Sequence, residues 1–217
     1  MGTPIGNLSD LSDRCRQTIE FVDEIGAEDT RKTLKILKHF KLEKPLFRCD
    51  EIFQRRRPEI LLKKLESGLN IALVTDAGTP GISDPGAFIV SEALKKGIKI
   101  VPIPGPSAIT VALSICGFKA VPFTFYGFLP KKGGERQRIL DAMIESSYTS
   151  CFFESPHRMI KTLTELCNRK PSRLVFVARE LTKKFEQSYR GSLIEVIEIL
   201  SQKTIKGECT IVIGPSE

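Results

Sequence analysis

The sequence predicts an α/β fold built as two α/β units with a cleft between them, and three observations carry that expectation. Segments with helical spacing of apolar residues alternate with short β-compatible runs along all 217 residues. Glycine and proline gather at the junctions, most densely in Val74-Thr75-Asp76-Ala77-Gly78-Thr79-Pro80-Gly81-Ile82-Ser83-Asp84-Pro85-Gly86. No low-complexity tract or internal repeat interrupts the alternation. A chain of this length can bury a substantial core, and a connector over 118–122 divides it into an N-terminal unit, 1–117, and a C-terminal unit, 118–217.

Taken in order, 12–25 reads as an amphipathic helix, and 31–40 as a second with Leu34, Leu37 and Phe40 on one face. Residues 51–68 form a charged helix closed by Gly68. The runs 71–75 and 98–103 are the clearest early strands, and the helix between them starts after Asp84-Pro85 and stops at Gly97. Pro104-Gly105-Pro106-Ser107 ends a strand and opens an apolar helix over 108–116, with Ser107 as N-cap and Gly117 as terminator. The second unit then reads as strands 124–128, 150–154, 173–179 and 209–213, alternating with helices 135–146, 159–168 and 193–202.

Composition narrows the classes of function. Thirty-three Lys and Arg against 26 Asp and Glu give a net charge of +7. The basic residues cluster at Arg55-Arg56-Arg57, Lys63-Lys64, Lys131-Lys132, Arg136 and Arg138, and Lys183-Lys184. Such an excess attracts a polyanion, although the interspersed acids equally describe a solvated mixed surface. The six cysteines form no C-x-x-C pair and several sit in apolar runs, so buried free thiols are expected rather than disulfides or a zinc site. Two isolated histidines imply no metal centre. No apolar run approaches the roughly 20 residues that span a bilayer, and no cationic leader precedes one, so a cytoplasmic protein without membrane contact is expected.

The chemistry concentrates at strand-to-helix junctions. The 74–86 loop joins a buried strand to a helix N-terminus, the usual binding crevice of open α/β sheets. Its glycines and prolines fix the path while leaving main-chain groups free to hold a small polar ligand. It matches neither G-x-G-x-x-G nor a P-loop, which removes the two commonest nucleotide motifs. Ala27-Glu28-Asp29-Thr30-Arg31 sets two carboxylates beside a guanidinium; Asp29 or Thr30 caps the next helix, or Arg31 holds a phosphate. Glu154-Ser155-Pro156-His157-Arg158 places Ser155 at an N-cap, Pro156 at the first helical position and two basic side chains where a helix favours anions. Arg179-Glu180-Leu181-Thr182-Lys183-Lys184-Phe185-Glu186 reads as a solvated loop or as a third charged strand end.

These segments, with Thr3-Pro4-Ile5-Gly6-Asn7-Leu8, Pro104-Gly105-Pro106-Ser107-Ala108 and Gly127-Phe128-Leu129-Pro130, resemble the tetrapyrrole-methylase fold family, in its branch of small-subunit ribosomal RNA cytidine 2′-O-methyltransferases. They follow the family's order along nearly the whole chain. The resemblance implies two α/β domains facing a donor-binding cleft, S-adenosylmethionine as methyl donor, 16S ribosomal RNA as partner, within the small subunit, and a homodimer. It assigns Thr75, Asp76, Ala77, Gly78, Ile82, Ser83 and Asp84 to the donor loop, with Pro104, Gly105 and Ser107 bordering the cleft and Phe153, Ser155 and Gly207 added from the second domain. The family's pattern has an apolar strand ahead of Thr3, where this sequence has Met1-Gly2, so an unpaired sheet edge is expected there.

For attack of a ribose 2′-oxygen on a sulfonium methyl, alignment supplies much of the acceleration and a nearby base takes the proton. Glu28, Asp29, His157 and Glu186 are the candidate bases; Arg31, Arg158, Arg179 and Lys183 are the candidate RNA phosphate contacts. Two other readings share the fold: a tetrapyrrole or precorrin C-methyltransferase acting on an acidic macrocycle, and a non-catalytic relative that binds RNA alone. Donor binding separates the last from the enzymes.

Overall fold

The computed structural model describes residues 1–216 and places them in two units, Met1–Ser107 and the chain from Ala108 onward. In the first, Ser12 caps helix α1 (Asp13–Phe21) by accepting the Cys15 amide, and Cys15 and Ile19 turn inward. The predicted helix over 12–25 stops at Phe21, because Ile25 and Ala27 are wholly buried in a short strand, β1 (Glu24–Ala27). Strand β1 lies between β2 (Leu46–Arg48) and β3 (Ile71–Val74), all parallel, in the order β2-β1-β3. Helix α2 (Thr30–Phe40) follows β1, capped by Asp29.

The predicted single helix over 51–68 is two, α3 (Glu51–Arg56) and α4 (Pro58–Glu66). Pro58 has no amide to donate and forces the preceding residue off the helix, so Arg57 sits at φ −140°, ψ 45°. Helix α5 (Ala87–Lys95) leaves the glycine-rich loop. One face of the sheet packs Ile25, Ala27, Ala72 and Val74 against Cys15, Ile19 and Leu37; Leu73 and Ile71 pack on the other against Leu61, Leu62, Ile89 and Ala93.

The predicted strand 98–103 makes no ladder. An open apolar groove of about 860 Å³, lined by Met1, Phe21, Val22, Leu73 and this segment, separates it from β3. The N-terminus crosses the groove: the Met1 ammonium donates to Leu73 O at 2.9 Å and the Gly2 amide to Ile103 O at 2.9 Å.

The second unit begins with α6 (Ala108–Ile115), which packs on its strands, so the division falls after Ser107 rather than after Gly117. Then come β4 (Phe123–Phe128), α7 (Gly134–Glu145), β5 (Thr149–Glu154), α8 (Pro156–Cys167), β6 (Leu174–Arg179), β7 (Gln187–Ser192), α9 (Leu193–Ser201) and β8 (Cys209–Ile213). The sheet order is β4-β5-β8-β6-β7, with β4 and β5 parallel and the other pairs antiparallel. Sequence reasoning missed β7 because Gln187-Ser188-Tyr189-Arg190-Gly191-Ser192 is a polar edge strand without apolar alternation. The core joins Phe152, Val175, Val177, Ile211 and Ile213 to Leu140, Met143, Met159, Leu163, Leu193, Val196 and Leu200 of α7, α8 and α9. All six cysteines are free thiols; burial pushes Cys49 and Cys151 up to about 12 and Cys209 to about 11.

Candidate functional site

In the first unit the C-terminal ends of β1 and β3 bring two of the predicted junctions together. The Asp76 amide donates to Glu28 Oε2 at 3.1 Å, and the Asp29 amide donates to Asp76 Oδ1 at 3.2 Å. Lys32, unnoticed in the sequence, lies in the first turn of α2 and donates to Asp76 Oδ2 at 2.7 Å. Its signal was its place beside Arg31 on a helix entering from the same strand end.

The adjacent carboxylates Glu28 and Asp29 titrate in opposite senses. Burial pushes Glu28 up, against the hydrogen bond from the Asp76 amide. The Arg31 side chain and amide hold half-buried Asp29 well below the usual carboxylate range. Arg31 is therefore partnered by its own helix cap.

Thr3 pins the glycine-rich loop. It exchanges backbone hydrogen bonds with Gly78, and its hydroxyl donates to Thr75 O at 3.1 Å. Thr75 Oγ1 is buried with no hydrogen-bond partner among the described residues, an orphan that a polar ligand group can satisfy. Ser83 holds φ +61°, a rare conformation for a residue with a side chain, and Ile82 beside it is exposed. Pro104-Gly105 returns to the same end: a Cβ on Gly2 would stand 2.6 Å from Gly105 Cα, so only two glycines permit this backbone contact. Ala77 and Asp84 lie in the loop and are half-buried, and Ser107 directly precedes α6.

In the second unit, register places Phe128 opposite Phe153, Glu154 opposite Cys209, and Cys209 opposite Arg179. Phe153, Ser155, Gly207 and Arg179 thus share one end of the sheet. Lys183 joins them by ion pairs to Glu180 at 2.9 Å and Glu208 at 2.8 Å. Burial alone would lower the Lys183 ammonium, but these two partners hold it above its usual value. Gly207, at φ +88°, leaves no room for a Cβ beside the Glu180 carboxyl.

Several predicted side chains have structural work instead. Arg179 donates to Lys206 O and Phe185 O. Glu186 accepts the Thr182 amide, and His157 stands exposed on the first turn of α8. Arg158 turns inward, donating to Leu129 O at 2.8 Å and to buried Glu154 at 3.1 Å, so the anion that offsets it at the helix start is the protein's own. Glu154 also accepts the Thr162 hydroxyl, and Thr162 in turn accepts from buried Arg136. This network escaped the sequence reading because its bonded partners lie up to 29 residues apart.

A parallel-stranded unit with a pinned glycine-rich loop at its strand ends, followed by a mixed five-stranded unit, defines a two-part α/β ligand-binding protein. The family model for tetrapyrrole (corrin/porphyrin) methylases matches residues 1–197. The ribosomal RNA small subunit methyltransferase I of Thermotoga maritima is 41% identical over 217 residues, all of this chain and 97% of the relative. The chain belongs to the tetrapyrrole methylase family. In solved structures, diphthine synthase shares the fold at TM-score 0.79 and 14% identity, covering 98% of this chain and 88% of that one. A uroporphyrin-III C-methyl transferase from Thermus thermophilus complexed with S-adenyl homocysteine matches at TM-score 0.66 and 16% identity, over 96% of this chain and 93% of that one.

Proposed function

We propose that this chain transfers a methyl group from S-adenosylmethionine to the 2′-oxygen of a cytidine ribose in 16S ribosomal RNA, acting in the cytoplasm as a homodimer on RNA within the small subunit. The observation that carries the reading is the 41% identity, spread over the whole chain, to a relative named for small-subunit ribosomal RNA methylation. The macrocycle enzymes share the fold at far lower identity.

The residues present suit a donor of this kind. Thr75 Oγ1 offers an unused buried hydroxyl, and the loop through Asp76, Ala77, Gly78, Ile82, Ser83 and Asp84 offers main-chain groups held in place by Thr3. Pro104, Gly105 and Ser107 lie in the same unit as this loop, and Phe153, Ser155 and Gly207 are the donor contacts proposed on the second unit by itself. Bound there, the donor supplies an electrophilic sulfonium methyl group. The protein's part is to orient the acceptor oxygen in line with it and to take up the hydroxyl proton.

Among the candidate bases, Glu28 has the raised proton affinity, whereas Asp29 is held ionised by Arg31 and Glu186 is engaged by a backbone amide. His157 is the alternative, exposed at the sheet end that carries Phe153. Arg31 is exposed for phosphate contact, half-buried Arg179 and Lys183 would have to share their present partners with a phosphate, and Arg158 supports the site from within.

Calorimetric titration with S-adenosylmethionine tests the reading, followed by transfer of a labelled methyl group to 16S ribosomal RNA. Saturable one-site binding and label on a ribose 2′-oxygen are expected. Asp76→Ala removes the acceptor that ties Asp29 and Lys32 to the loop, and should weaken donor binding by about tenfold, the loss of roughly 1.4 kcal/mol expected of a charge-assisted hydrogen bond. Unaltered donor affinity in that variant removes the loop from the site.

A further inference from the structure

The second unit holds a surface feature that extends beyond the residues assigned to the donor. Strand β4 ends at Phe128, and the chain runs on through Leu129-Pro130-Lys131-Lys132-Gly133 before α7 starts. Leu129 is buried in the core, whereas Phe128 is 61% exposed and both lysines are exposed. Phe128 is the outermost of three linked rings: its centroid lies 5.4 Å from that of Phe153, which lies 5.0 Å from that of Phe125. These rings lie at the β4 edge of the sheet, where no strand pairs beyond β4 among the described residues.

The loop carrying them is fixed. Arg136, almost wholly buried, donates to Pro130 O at 3.0 Å, and Arg158 donates to Leu129 O at 2.8 Å. The guanidiniums are held in turn by Glu165 and Glu154. One buried and one half-buried guanidinium hold consecutive carbonyls of this surface turn, which keeps a bare aromatic ring at a set height beside two ammonium groups. An exposed ring offers a π-face to any base, and adjacent lysines neutralise the phosphates on either side of it. Glu135 and Arg138 flank the patch on α7 and leave it net positive.

We propose that the Phe128–Lys132 turn is a preorganised contact for single-stranded RNA: Phe128 stacks on one unpaired base while Lys131 and Lys132 hold the flanking phosphates. The inference rests on the RNA methyltransferase reading and names where part of that substrate is gripped. Phe153 backs the stacking ring, and Arg136 and Arg158 are positioning residues that act through the Leu129 and Pro130 carbonyls.

The test is fluorescence anisotropy of the full chain with a labelled short single-stranded RNA across a salt series, paired with calorimetry using S-adenosylmethionine. Phe128→Ala should weaken RNA binding roughly 5- to 150-fold, the range of one lost base–aromatic stack, while Phe128→Tyr stays near the parent. Lys131→Ala with Lys132→Ala should reduce the slope of log affinity against log salt by about 1.4, from two single-strand phosphate contacts at about 0.7 each. Donor affinity should hold in all of these. Parent-like RNA affinity in Phe128→Ala overturns the proposal and leaves the RNA reading standing. Loss of donor affinity instead makes the ring part of the donor wall, and a changed sedimentation coefficient makes it a seam between copies; each overturns the proposal too. A parent chain that binds no RNA removes the proposal together with the reading beneath it.

Discussion

Glu28 and Asp29 are neighbours in sequence and opposites in environment. A carboxyl raised by burial keeps its proton to higher pH in the folded chain than in the unfolded one, so folding stability falls as pH rises from the ordinary glutamate value through the raised one. The penalty is fully present above that window and absent below it. Glu28→Gln keeps an oxygen for the Asp76 amide and removes the charge, so urea unfolding at pH 7 should show a variant at least as stable as the parent, the two converging near pH 4. A deficit at pH 7 that persists unchanged at pH 4 would show that the carboxylate itself holds the fold there. The sequence displayed both residues and their role as strand-end carboxylates. What it lacked was Asp76, 47 and 48 residues away, whose contacts separate them.

At the scale of elements, legibility followed burial on both faces. Helices α5 to α9 and strands β5, β6 and β8 carried their own signatures, because continuous apolar runs and caps are local properties. The failures were short or polar elements specified by neighbours: β1 with Gly26 in it, three-residue β2, and β7 with a serine at each of two positions. The opposite error was 98–103, apolar enough for a strand yet without a ladder partner. Helix α9 shows local specification at its strongest, since Ser192 accepts the Glu195 amide while Glu195 accepts the Ser192 amide. Ser192→Ala should cost about 1 kcal/mol of stability, within the usual 0.5–2 of a lost N-cap, read from the urea midpoint of the second unit. A change below about 0.3 kcal/mol would mean that packing of Leu193, Val196 and Leu200 alone sets that helix end.

At the scale of the molecule, each unit solves the edge problem differently. In the second, β6 has β8 on one side and β7 on the other, so its amides and carbonyls are consumed by the sheet. In the first, β3 is paired with β1 on one side only. Its far side meets the Met1 ammonium, a part-buried group lowered by desolvation, and beyond that an open groove. The amides of Lys99, Ile100 and Val101 on the groove's opposite wall have no backbone partner among the described residues. The loop proposed to hold the donor is therefore anchored on this side by Thr3, where a sheet ladder would otherwise supply the restraint, and on the β1 side by the contacts of Asp76 with Glu28, Asp29 and Lys32. Amide exchange should report this directly: Lys99 to Val101 exchanging near the unstructured-chain rate, Val175 and Val177 only through global opening. Donor should slow exchange over 76–86, because ligand contacts replace the restraint that the sheet does not provide. Protection at 99–101 as high as in β6 would mean that the groove walls close on each other in solution, and the loop's rigidity would then come from the sheet after all.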